Sequence, residues 1–215
     1  MNGKIIANEL HKILSSILGV ENNPEIQEKL SMFGYTPDRI AEGKVLYENV
    51  THLMTIQVEE YSNQYIATDE FTKFWKRVYG NYMITLKVLR VAFNGQIEML
   101  QRFNATGKRN KSLSGWLRDA IILYSNLLNN TEALNVMSKY GYTSEKLEKE
   151  FQEVTEVEQL HSKKLSEKGA AQQSTIERDE AFDTLYKWYR NFRAIARIAL
   201  HDKPQLLETL GIVKK

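Results

Sequence analysis

A chain of 215 residues, 42% hydrophobic and 26% charged, is long enough to bury a real core and has the composition of an ordinary globular protein. A net charge of +2, with both signs mixed along the chain, lacks the basic footprint of a nucleic-acid binder. The absence of cysteine excludes disulfides, thiolate metal sites, cysteine nucleophiles and iron–sulfur clusters; three prolines and sparse glycine argue against a turn-rich all-β chain.

The opening "MNGKIIANELHKILSSILGV" reads as an amphipathic helix near 4–19, because Asn8, Glu9, His11 and Lys12 interrupt any apolar run that a signal peptide would need. No stretch approaches the roughly 18 apolar residues of a membrane span, so the expected location is cytoplasmic. Asn23 is placed to cap a short helix (24–33) that begins Pro24-Glu25. In "FGYT" (33–36), Gly34 suits the left-handed position that ends a helix. Thr36 then caps the next helix, with Pro37 and Asp38 in its first turn and Tyr35 stapling onto Ile40.

That next helix is expected over 37–66, with Ile40, Tyr47, Val50, Leu53, Met54, Val58 and Tyr61 on one stripe. "YIAT" predicts a break, and Thr68 the cap of a second long helix (69–93) carrying Phe71, Phe74, Trp75, Val78, Tyr82, Leu86, Leu89 and Phe93. After Asn94-Gly95 comes a short helix (96–103), then "NATGKRNKS" (104–112), which reads as a basic, solvated linker.

The remainder repeats this order. "MFGYTPDRI" (32–40) returns as "KYGYTSEKL" (139–147), Gly34 and Gly141 being 107 residues apart. Without a gap, the same offset pairs Asn23 with Asn130, Thr36 with Thr143, Thr68 with Thr175, Tyr79 with Tyr186, Tyr82 with Tyr189 and Arg90 with Arg197. The expectation is an internal duplication, repeat 1 over 2–108 and repeat 2 over 109–215. "QQST" marks the second interhelical break and "HDKP" the counterpart of Asn94-Gly95. One hairpin of long helices cannot cover its own apolar stripe, but two can cover each other. The fold class is therefore all-α: a single up-and-down bundle over 1–215 with pseudo-twofold symmetry, made of two long helix hairpins and short flanking helices.

Once caps and core are subtracted, Tyr79, Tyr82 and Arg90 remain on one helical face, and Tyr186, Tyr189 and Arg197 on its counterpart. They are either core tyrosines with an arginine closing a helix end, or a polar pocket, twice over, for an anion or planar ligand. Arg190 and Arg193 join Arg197 where the first half has Met83 and Leu86. A hairpin folded near 173–174 would set these arginines opposite Glu150, Glu153, Glu156 and Glu158 as a solvated ion-pair ladder; the rival is a phosphate or lipid-headgroup stripe. "EQLH" (158–161) has the Glu-x-x-His spacing of di-iron bundles, but Thr51 and Met54 stand at the matching positions of the first half, so no metal site is expected. No nucleophile elbow, phosphate loop or dinucleotide motif occurs.

The doubled "GYT" joint followed by "RIAEGKVLYENV" resembles bacterial all-helical proteins known only as hypothetical reading frames. The likeness covers the joint and first long helix of each half, "KLEKE" replacing "RIAEG" in the second copy, and implies no activity. The functional expectation is a non-catalytic interaction or scaffold protein, meeting a protein partner or itself, without cofactor or nucleic acid. The alternatives are a binder of a small molecule or anion through Tyr79, Tyr82, Arg90, Tyr186, Tyr189, Arg190, Arg193 and Arg197, and a carboxylate–histidine metalloenzyme.

Overall fold

The computed structural model describes residues 3–212, and every regular element among them is helical. In chain order these are α1 (Gly3–Glu21), α2 (Pro24–Ser31), α3 (Pro37–Ala92), α4 (Ile97–Arg102), α5 (Leu113–Leu128), α6 (Thr131–Ser138), α7 (Ser144–Ala199) and α8 (Leu206–Thr209). None of the described helices is long and apolar enough to cross a membrane.

The local signals act as expected. The Asn23 side chain accepts hydrogen bonds from the backbone of Glu25 and Ile26, and Asn130 accepts one from Ala133. Gly34 and Gly141 take φ of +81° and +77°. Each lets the following amide, Tyr35 or Tyr142, reach back five residues to a carbonyl, Leu30 or Met137, satisfying the end of the helix. Asn104 at φ +50° and Gly211 at φ +67° build the same closure after α4 and α8, through Ala105 to Leu100 and Ile212 to Leu207.

The two hairpins do not form. Each pair of expected long helices is one uninterrupted helix of 56 residues, α3 and α7, so "YIAT" and "QQST" are helical throughout. Neither stretch contains Pro or Gly, and a threonine inside a helix can satisfy its hydroxyl on the carbonyl four residues back instead of capping a new start. Thr175 does this on Ala171 (3.1 Å), and the carbonyl of Thr68 accepts in the same way from Thr72 (2.7 Å). The glutamate–arginine ladder fails with the hairpin. Glu153 pairs instead with Arg77 of α3 (2.8 Å), while Glu156, Glu158, Arg190 and Arg197 are exposed.

Two compact units result, with boundaries inside α3 and α7. The first comprises residues up to Ser62 and from Gly169 onward. Its core combines Ile6, Ile13 and Ile17 of α1, Ile26 and Leu30 of α2, and Phe182, Leu185, Tyr189 and Phe192 of α7. Here α3 and α7 run antiparallel: Gly43 faces Trp188, and further along Gln57 donates to the Thr175 hydroxyl (2.8 Å). A Cβ on Gly43 would lie 2.2 Å from the Trp188 ring, so the helices approach this closely only because that side chain is absent.

The second unit is residues 63–168. Phe71, Val78, Tyr82, Leu86 and Leu89 of α3 pack with Trp116, Leu123, Tyr124 and Leu127 of α5, and with Leu147, Val154 and Val157 of α7. The antiparallel register is set by Lys163 with Glu70 (2.9 Å), Arg77 with Glu153, and Glu150 with Thr85. Glu150 is buried, and its Oε2 accepts from both the Thr85 hydroxyl (2.6 Å) and the Tyr124 hydroxyl (2.9 Å), so that oxygen is satisfied within an apolar core. Burial, reinforced by the charge of Glu150, pushes the Tyr124 phenol far above its usual value.

Candidate ligand-binding groove

The sequence-predicted residues divide between the units. Tyr186, Tyr189, Arg190, Arg193 and Arg197 lie in the first, and Tyr79, Tyr82 and Arg90 in the second. In the first unit Tyr189 is a core residue whose hydroxyl meets Ser16 (3.2 Å), and Arg193 lies over its ring at 5.5 Å. Tyr186 stacks on Phe182, while Arg190 and Arg197 are exposed. In "EQLH", His161 tilts against Phe71 (5.3 Å), and no three of His, Asp and Glu come together as a metal site among the described residues.

Arg90 acts on the segment read as a free linker. It donates to the carbonyls of Ala105 (2.7 Å) and Gly107 (2.9 Å), while Arg109 donates to those of Asn104 and Thr106. Phe103 and Ala105 are buried, and the side chain of Arg109 is only 8% exposed. Asp119 of α5 completes the clamp, accepting from Asn104 (3.1 Å), Asn110 (2.9 Å) and Arg118 (3.3 Å), with Arg109 at 3.9 Å. Burial alone would raise the Asp119 carboxyl, but the hydrogen bonds from Asn110, Arg118 and Asn104 outweigh it and hold the group below its usual value. The clamp reaches as far as Asn110, the residue before Lys111.

Lys111 closes one side of a groove of about 370 Å³ lined also by Thr72, Trp75, Lys76 and Tyr79. The four α3 residues fall at i, i+3, i+4 and i+7, one helical face. Trp116 stands behind them, fully buried, with its ring 6.2 Å from Trp75 and 6.0 Å from Tyr79; Phe71 stacks on Trp75 from the other side at 5.6 Å. The aromatic wall is thus held by further rings. Lys76 and Lys111 are exposed and neither is in an ion pair, whereas the neighbouring Lys73, Arg77 and Lys163 are paired with Asp69, Glu153 and Glu70. Below the wall the indole N–H groups of Trp75 and Trp116, the Tyr82 hydroxyl and Nε of Arg109 are buried without an acceptor in the protein. Burial raises the Tyr82 phenol, opposed by the charge of Arg109.

The groove offers an aromatic surface and two free cations. The residues that line it include no carboxylate and no histidine. Of the predicted set only Tyr79 lines it. Sequence reasoning placed Trp75 in the core stripe and Lys111 in a solvated linker, and had no role for Thr72 or Lys76. The available signal was a lysine amid the Phe71–Tyr82 aromatics, but what faces that lysine depends on the fold of 104–112. In the first unit a smaller pocket of about 130 Å³ lies between Val20, Gln27, Tyr35 and Ile40. No protein-family model matches the chain, and no curated protein or solved structure matches it.

Proposed function

We propose that this chain is a non-catalytic binding protein that takes a small molecule in the groove of its 63–168 unit. The observation that carries the reading is the rigid aromatic wall of Trp75 and Tyr79 flanked by the unpaired Lys76 and Lys111. Its volume falls in the usual range of ligand sites, roughly 300–1,000 Å³. The chain has three tryptophans, so an amide NMR spectrum carries three indole N–H signals, assignable by single Trp→Phe variants. In a screen of aromatic fragments, binders are expected to shift the Trp75 signal and leave that of Trp188 in place. If no fragment moves Trp75, the reading is wrong.

The finer architectural reading belongs with this proposal. Two copies of a 107-residue repeat, fused and diverged, account for the bounds of α2 and α6 and of α3 and α7, each pair displaced by that number. A cytoplasmic setting fits the absence of cysteine.

A second reading, a scaffold that meets a protein partner, is favoured by the open face of Asp38, Ala41, Glu42, Val45 and Leu46 on α3, where Val45 is 63% exposed. Its apolar strip beside two carboxylates fits a basic amphipathic helix. A synthetic Leu/Lys helix should bind the wild type and lose affinity on Val45→Asp; equal binding to both would remove this reading.

A further inference from the structure

We infer that the groove selects a planar anion, an aromatic carboxylate or its equivalent, over neutral and cationic molecules of the same shape; this rests on the proposal that the groove is a ligand site. Three observations lead to it. First, the only charges lining the groove are those of Lys76 and Lys111, and no carboxylate of the described protein neutralises them, whereas Lys73, Arg77 and Lys163 nearby are each paired. A ligand that stacks on Trp75 and Tyr79 brings its edge between these ammonium groups, where a negative substituent completes two ion pairs.

Second, the chain leading to Lys111 is held in place before any ligand arrives. The guanidinium groups of Arg90 and Arg109 and the carboxylate of Asp119 tie down residues 104–110, ending at the Asn110 side chain one residue before it. A cation carried on a backbone fixed in advance leaves less of the chain to be ordered when an anion binds.

Third, the residues 107 further along the chain keep the aromatic spacing and reverse the charge. Thr72, Trp75, Lys76 and Tyr79 correspond to Asp179, Phe182, Asp183 and Tyr186. Rings at i+3 and i+7 are thus common to both stretches, as core packing alone would require. The lysine is not, so packing does not account for it.

The test is a titration of the intact protein with 2-naphthoate, the neutral 2-naphthalenemethanol, the cationic 2-naphthylmethylamine and inorganic phosphate, read at the Trp75 indole signal. Naphthoate should bind about tenfold more tightly than the alcohol at low salt, the amine most weakly, and the preference should shrink as salt rises. Lys76→Gln and Lys111→Gln should each remove about threefold of naphthoate affinity and leave the alcohol unchanged. Both positions are exposed, and three unshifted indole signals in the free variants establish that the fold is kept. Equal binding of naphthoate and the alcohol overturns the charge selection while the groove remains a ligand site. Phosphate that displaces naphthoate overturns the planar requirement. Failure of every naphthyl compound to move Trp75 overturns the ligand site itself.

Discussion

Replacing Asp119 by Ala tests whether the 104–112 segment is a built part of the protein. The carboxylate accepts three hydrogen bonds, from Asn104, Asn110 and Arg118, and is the counter-charge nearest the buried Arg109. A net hydrogen bond to a charged acceptor contributes about 1.5–3 kcal/mol when buried, and the Arg118 bond, whose donor is 68% exposed, far less. Leaving Arg109 without its partner adds a cost, reduced by the long 3.9 Å separation and by its carbonyl acceptors. Together these give a loss of about 3 kcal/mol for Asp119→Ala in urea unfolding at neutral pH. The pH dependence has a definite sign. The folded carboxyl lies below its unfolded value, so its stabilisation is complete above the unfolded value of about 4 and disappears as pH falls through the folded one. The gap between variant and wild type should therefore be full at neutral pH and narrow progressively below about pH 4. Naphthoate affinity should fall as it does in Lys111→Gln, because Asn110, the residue before Lys111, loses its acceptor. A neutral-pH cost under about 0.5 kcal/mol, or a gap that does not change with acid, would refute the clamp.

Three further predictions concern the helices. Gly43→Ala should destabilise by about 1–3 kcal/mol, the added Cβ displacing the Trp188 indole, whereas Gly80→Ala, with nothing within 4 Å of the new carbon, should stabilise by about 0.5–1 kcal/mol; thermal melts of the two variants should move in opposite directions. Gly34→Ala and Gly141→Ala, both at positive φ, should each cost about 1 kcal/mol, and equal melting temperatures to wild type would show that the closures tolerate a side chain. Tyr124, raised by burial and by Glu150, should stay protonated in a spectrophotometric titration carried past the usual phenol value of about 10. Because its folded value exceeds the unfolded one, its contribution is intact below about pH 10 and is lost above it; Glu150→Gln should bring its ionisation down.

The helix ends were legible because their hydrogen bonds close within a few residues. Asn23 reaches two and three positions ahead, and Tyr35 and Tyr142 reach five back, so the residues that make these contacts stand together in the chain. The all-helical class and the buried stripe of α1, Ile6, Leu10, Ile13, Ile17 and Val20, follow from the same short-range periodicity. A stripe states that a face is buried and not what buries it. Thr68 and Thr175 could serve either as caps or inside a helix, and the sequence alone does not show that the Thr175 hydroxyl also meets Gln57, 118 positions away. Continuous helices then gave Glu153 to Arg77 and not to the arginines of α7. The groove was hidden for the same reason: Lys111 stands beside Lys76 and Tyr79 only because Arg90, Arg109 and Asp119 fold 104–110 down. Local sequence decided where helices begin, end and turn an apolar face inward. Tertiary contacts decided which faces meet and which charges remain unpaired, because both depend on residues far apart in the chain.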